Sequence, residues 1–232
     1  MVQVNNVPYV TLRIKFKKVG RLQYISHLDL VRTMHKILVR SKLPMWYTEG
    51  FNPKPKMVFA APLSIGAESL CEFMDIRLTE KIPPSEAKAI LNKNMTDEMQ
   101  VLEAYYPNDK FTELKWLAYT MTVKSVRNSV ELADKCNELF AKDQLCVLKK
   151  TKSGEQSVDI KPLIHSAKAE PNGDVVSLSL VLSADQSCFL NPEYIADLLR
   201  DAFGILGEDN LTEEYYTILR TSAHKADMKE FR

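Results

Sequence analysis

The sequence predicts an α+β protein of two ferredoxin-like (split β-α-β) halves, each built on a mainly antiparallel sheet. Three observations carry that expectation. Val10, Leu12, Ile14 and Phe16 alternate with Thr11, Arg13, Lys15 and Lys17, the period of two shown by a strand with one buried and one wet face. Antiparallel sheets tolerate a wet face, whereas parallel sheets are usually covered on both sides. Residues 10–106 then read in the order β-α-β-β-α-β, the split pattern of a ferredoxin-like sandwich. A similar order returns after a polar connector at residues 107–114, so domains of 1–110 and 111–232 are expected. Halves of about 110 residues are large enough to bury a core.

In the first half a helix is expected over Leu28–Ser41. Leu28, Leu30, Val31, Met34, Ile37 and Leu38 recur at helical spacing, with Arg32, Lys36 and Arg40 on the other side. Ser26 and Asp29 have the Ser-x-x-acid form of a capping box, and Pro44 closes the segment. Gly50, Pro53, Pro55 and Pro62 punctuate the next stretch, so a short strand at Met57–Ala60 is entered by a stiff loop and left by a turn at Gly66. Leu70–Thr79 reads as a strand, Pro83-Pro84-Ser85 opens a helix reaching Asn94, and Met99–Tyr106 is a final strand.

The second half repeats the pattern. Leu117, Tyr119, Met121 and Val123 alternate as a strand, and Asn128–Ala141 is a helix. Strand residues flank a turn at Ser153-Gly154 and continue through Asp159–Ala169. Val176, Leu178, Leu180 and Leu182 alternate in turn. A helix over Pro192–Phe203 and a strand over Tyr215–Thr221 complete the set, and Ala223–Arg232 reads as a frayed tail.

Composition narrows the function classes. Apolar residues make up 45% and charged residues 26% of the chain, as in ordinary globular proteins. No run of roughly 18 apolar residues exists, so no transmembrane helix is expected. Met1–Asn6 lacks the basic and apolar regions of a secretory signal, which predicts a cytoplasmic protein. Cys71, Cys136, Cys146 and Cys188 are scattered, whereas zinc and iron–sulfur sites draw at least two ligands from one short loop; no metal and no cofactor is expected. No dinucleotide fingerprint, phosphate-binding loop, paired-histidine zinc motif or nucleophile elbow occurs.

The net charge of +1 conceals an asymmetry. Residues 1–56 hold eleven Lys/Arg and two acids, while the remainder holds twenty bases and twenty-eight acids. A basic lobe joined to an acidic one suits a polyanion bound at one end.

Chemistry-bearing side chains concentrate in residues 21–69. The candidate binding residues are Tyr24, Ser26, His27, Asp29, Arg32, Tyr47, Glu49, Phe51, Asn52, Lys54 and Lys56. A helix N-terminus offers unpaired N–H groups and a positive dipole end. Lys54 and Lys56 add point charges, and Phe51 or Tyr47 can stack a base or ring. Ser26, His27 and Asp29 are too close in sequence to face one another as a triad, so Ser26 and Asp29 read as helix caps. No residue is assigned as catalytic.

Tyr24-Ile-Ser-His-Leu-Asp29 with Arg32, followed by Glu49-Gly-Phe-Asn-Pro-Lys-Pro-Lys56, Pro62-Leu63 and Gly66, resembles the radical-SAM-linked family of unknown function. In that family the domain occurs alone or joined to the C-terminal side of a radical-SAM protein. The resemblance spans roughly residues 8–200 and implies a radical-SAM protein as partner, but no reaction. The chain has no Cys-x-x-x-Cys-x-x-Cys to hold a cluster of its own, so a role beside such an enzyme would be one of binding or docking in trans. Three readings are open. The first is an accessory RNA-binding protein that presents RNA, such as tRNA or rRNA, to a modifying enzyme. The second is a docking module that contacts the radical-SAM partner without nucleic acid. The third is a small enzyme using His27 with Asp29 or Glu49 as acid and base.

Overall fold

The computed structural model describes residues 9–151, 154–207 and 212–232 (for Lys150, Thr151 and Glu155, the backbone alone), and in it the first alternating segment forms β1 (Val10–Lys18). The chain continues through α1 (His27–Ser41), β2 (Met57–Phe59), β3 (Ala67–Leu78), α2 (Pro84–Asn92) and β4 (Val101–Tyr105). These elements make the first of two compact units, which runs to Phe111 and includes Arg232. Ile14 and Leu12 of β1 pair with Met74 and Ile76 of β3, whose other edge takes Phe59 and Met57 of β2. β4 pairs with the free side of β1. The order is therefore β4-β1-β3-β2, with every one of these pairings antiparallel.

The core explains the pattern of the sequence. Leu12, Ile14 and Phe16 of β1 and Met74, Ile76 and Leu78 of β3 pack with Leu30, Met34, Ile37 and Leu38 of α1 and with Ala87 and Leu91 of α2. Each such Leu, Ile, Met or Phe contributes about 1.5–3 kcal/mol on burial. α1 starts at Ser26, whose Oγ accepts the Asp29 N–H at 3.1 Å and donates to Asp29 Oδ2 at 2.8 Å. It ends where Lys42 turns left-handed at φ 55°.

Three expectations need correction. Leu28 is 66% exposed, because it starts the outer face of α1 that continues through Arg32. The second face of β1 is only partly wet: Thr11, Lys15 and Lys17 are half-buried, and Arg13 is 1% exposed, its guanidinium donating to Asp75 Oδ1 at 2.7 Å and Oδ2 at 2.9 Å beneath the Phe111 ring. Lys15 is paired with Glu103 at 3.2 Å, so two of the three bases on this face, Arg13 and Lys15, are met by acids of neighbouring strands. Third, the residues after Ala223 are not frayed. His224 pairs with Glu230, the Phe231 N–H donates to the Ala223 carbonyl at 2.9 Å, and Phe231 is fully buried.

The second unit, Thr112–Phe231, contains β5 (Trp116–Lys124), α3 (Ser129–Phe140), β6 (Cys146–Thr151), β7 (Gly154–Asp159), β8 (Ile164–Asn172), β9 (Val175–Ser183), α4 (Glu193–Phe203) and β10 (Tyr215–His224). Antiparallel pairing gives the order β10-β5-β9-β8, while β6 and β7 form a separate hairpin. Leu117, Tyr119, Met121 and Val123 of β5 and Val176, Leu178, Leu180 and Leu182 of β9 are buried, as are Ile195 and Leu199 of α4. Of the turn expected at Ser153-Gly154, Ser153 lies outside the described residues, as does Met1–Asn6. No helix among the described residues is long and apolar enough to cross a membrane.

Candidate functional site

The loop that joins α1 to β2 is held by its stem. Trp46 N–H donates to the Arg77 carbonyl at 2.9 Å, Lys56 N–H to the Trp46 carbonyl at 2.9 Å, and Arg77 N–H to the Lys56 carbonyl at 3.1 Å. Tyr47 bridges Pro55. Thr48 and Lys54 tie the next rung, with Thr48 N–H on the Lys54 carbonyl and Lys54 N–H on Thr48 Oγ1. The tip reverses at Gly50, whose φ of +116° suits glycine, while Pro53 and Pro55 fix the descending leg. At this tip Glu49, Asn52, Pro53 and Lys54 are exposed, and the Phe51 ring is wholly in solvent.

This leg stands beside the outer face of α1, and between them lies an open groove of about 500 Å³. It is lined by Arg32, His35, Lys36, Val39, Arg40, Pro53, Lys54 and Pro55. Among the described residues that line it, four are Lys or Arg and none is a carboxylate. Arg32, Lys36 and Arg40 succeed one another at four-residue steps, about 6 Å apart along the helix. Their charges add in one concave strip, which focuses a positive potential. Asp29 offsets one of them, since its Oδ1 accepts from Arg32 Nη1 at 3.0 Å, but both partners are exposed and such pairs are weak. The Ser26 hydroxyl, followed by Arg32, holds the Asp29 carboxyl below its ordinary range.

The predicted residues thus divide. Arg32 and Lys54 meet at the groove. Phe51, Glu49 and Asn52 sit at the loop tip above it. Tyr47 serves the loop stem, and Lys56 is half-buried there. Ser26 and Asp29 cap α1. His27 packs edge-on against Phe59, with ring centroids 5.4 Å apart, and its buried Nδ1 has no hydrogen-bond partner among the described residues; the Asp29 oxygens go to Ser26 and Arg32 instead. Tyr24 is exposed ahead of α1, in the 3-10 turn Gly20–Tyr24. That turn is tied down by Lys18, whose buried ammonium donates to the Leu22 carbonyl at 3.1 Å.

Lys36, Val39 and Arg40 were not among the candidate residues. The four-residue spacing of Arg32, Lys36 and Arg40 was visible, but such a row ordinarily marks a solvated helix face. Only the position of the Pro53–Pro55 leg turns it into a wall. A cavity of about 590 Å³ in the second unit makes the contrast plain. Lys124 there is paired with Asp174, the Arg127 guanidinium donates to the Phe203 carbonyl, and Asn128 already caps α3. Its lining mixes Asp174 and Glu213 with the bases, so no comparable field results. Among the described residues no group of three or more His, Cys, Asp or Glu is placed to share a metal ion. None of the four cysteines is in a disulfide; Cys71 and Cys136 are buried, and burial pushes the Cys136 thiol up to about 12.

Fold and site together define a two-unit α+β protein with a cation-lined groove in its first unit. By sequence, residues 11–192 match the family described as uncharacterized protein conserved in bacteria (DUF2344), and the chain belongs to that family. No curated protein matches the chain.

Proposed function

We propose that this protein is a cytoplasmic accessory protein that binds RNA, such as tRNA or rRNA, for a linked radical-SAM enzyme. The observation that supports RNA binding is the groove between α1 and the Pro53–Pro55 leg, where Arg32, Lys36, Arg40 and Lys54 line one strip without a carboxylate. The link to a radical-SAM protein is supported by the resemblance of the Tyr24–Asp29 and Glu49–Lys56 motifs. We read residues 1–110 and 111–232 as the two domains, each ferredoxin-like. In support, β4-β1-β3-β2 and β10-β5-β9-β8 are equivalent orders if the β6–β7 hairpin is an insertion.

The test is fluorescence anisotropy with labelled tRNA and rRNA fragments over a range of salt. Four phosphate contacts, at about 0.7–0.9 each, give a slope of log affinity against log salt near −3. Replacing Lys36→Glu together with Arg40→Glu, both exposed, should halve that slope and weaken binding at least tenfold. Undetectable binding, or binding indifferent to salt and to this variant, refutes the reading.

A second reading, a docking surface for the radical-SAM partner without nucleic acid, is favoured by Tyr24, Leu28 and Ile65, all large, apolar and more than half exposed. Their segments adjoin, since the Gly66 N–H donates to the Gln23 carbonyl at 2.9 Å. Co-purification of the partner that survives nuclease and is lost with Leu28→Glu would support it.

A further inference from the structure

We infer that the groove takes a single-stranded stretch of nucleic acid, with an unstacked base on Phe51, rather than a duplex; the inference rests on the RNA-binding reading above. Charge alone would suit either form. The lining chemistry separates them. Between the cations the wall is apolar, formed by Val39, Pro53 and Pro55. Val39 is more than half exposed although it sits on a helix with a well-filled core face. A duplex presents phosphates and sugars to such a wall and leaves its apolar surface wet. An unwound strand presents base faces as well as phosphates, so both kinds of lining find partners.

Phe51 points the same way. Its ring is wholly exposed among the described residues, two residues before the proline leg that forms the groove. The loop beneath it is fixed by the hydrogen bonds of Trp46, Thr48, Lys54 and Lys56, so the ring is displayed from a defined position. Every base has a π face, and stacking on an aromatic side chain is indifferent to sequence. A base in a duplex is already stacked on both sides and cannot use the ring. The cation row on α1, with steps of about 6 Å, is comparable to the spacing of successive phosphates along one strand.

The experiment compares a labelled 12-nucleotide oligouridine, which has no secondary structure, with a blunt RNA duplex of the same length, for the full chain and its Phe51→Ala variant. Because Phe51 is fully exposed, the variant keeps its fold, which circular dichroism verifies. The single strand is expected to bind at least tenfold more tightly than the duplex, and Phe51→Ala to weaken the single strand about 5- to 150-fold while leaving its salt slope unchanged. Equal affinity for the duplex, or an unaffected Phe51→Ala variant, overturns the inference and leaves RNA binding standing. Failure of the chain to bind either probe, or tRNA and rRNA fragments, removes the underlying reading as well.

Discussion

Replacing Asp75→Asn tests the claim that β1 spends its basic residues on its own sheet. The guanidinium of Arg13 is buried at 1% exposure, and Asp75 meets it through two hydrogen bonds of 2.7 and 2.9 Å. Removing one partner of a buried pair leaves an uncompensated charge and costs about 3–5 kcal/mol. Here the lower end applies. Asparagine keeps one carbonyl acceptor, the Arg232 carbonyl still accepts from Arg13 Nη1 at 3.0 Å, and the Phe111 ring lies 4.3 Å from the guanidinium carbon. A loss of about 3 kcal/mol is a large part of the usual 5–15 kcal/mol of a folded domain. Urea unfolding followed by circular dichroism should show a lower midpoint with an unchanged slope. The double replacement Arg13→Met with Asp75→Leu should recover most of the loss, because no charge is left to solvate. On the RNA-binding proposal, the same double variant should match the parent in RNA affinity, since neither residue lines the groove. The reasoning fails if Asp75→Asn loses less than about 1 kcal/mol, or if the double variant is the less stable of the two.

Two further stability predictions concern single turns. Glu214 is buried, but the Ser125 hydroxyl and the N–H groups of Leu206, Val126 and Gly207 outweigh that burial and hold its carboxyl below the ordinary range; Glu214→Gln should cost about 2 kcal/mol near neutral pH. Because the folded value is the depressed one, this stabilisation is complete above the unfolded value of 4.5 and fades as pH falls through the folded one. Thermal melts of the two proteins should therefore converge on acidification. Lys42 ends α1 in the left-handed region at φ 55°, where a side chain costs about 1 kcal/mol. Lys42→Gly should raise stability by about 0.5 kcal/mol after the greater freedom of the unfolded glycine chain is subtracted, read as a higher urea midpoint.

Much of the fold was legible because one physical signal dominated each element. The alternation in Leu12, Ile14 and Phe16, or in Leu117, Tyr119, Met121 and Val123, has no reading but a strand, and Ser26 marked the start of α1 within one residue. Errors arose where a side chain's fate depends on distant sequence. Nothing near Arg13 announces that Asp75, sixty-two residues on, will neutralise it, so a buried ion pair looked like a wet basic face. Phe231 was missed for a related reason: a short polar tail conceals one aromatic that ends fully buried. The site was half legible. Gly50, Pro53 and Pro55 identified a stiff loop, and Lys54 marked it as basic. That α1 would offer its outer face as the opposite wall is a tertiary fact, and the residues from Arg32 to Arg40 look the same on a helix with nothing beside it.

The cations of that wall stand on a helix whose other side is clamped by Leu30, Met34, Ile37 and Leu38. Their spacing is a by-product of folding, so on the proposed reading it would carry little further ordering cost on binding an anion. A flexible basic tail with the same charges would lose backbone freedom at each encounter. The helix therefore works as a ruler, and its calibration lies in the core. Trimming Met34 leaves every groove residue in the sequence yet lets the ruler tilt, so, on the RNA-binding proposal, changes remote from the groove would retune the spacing of its cations.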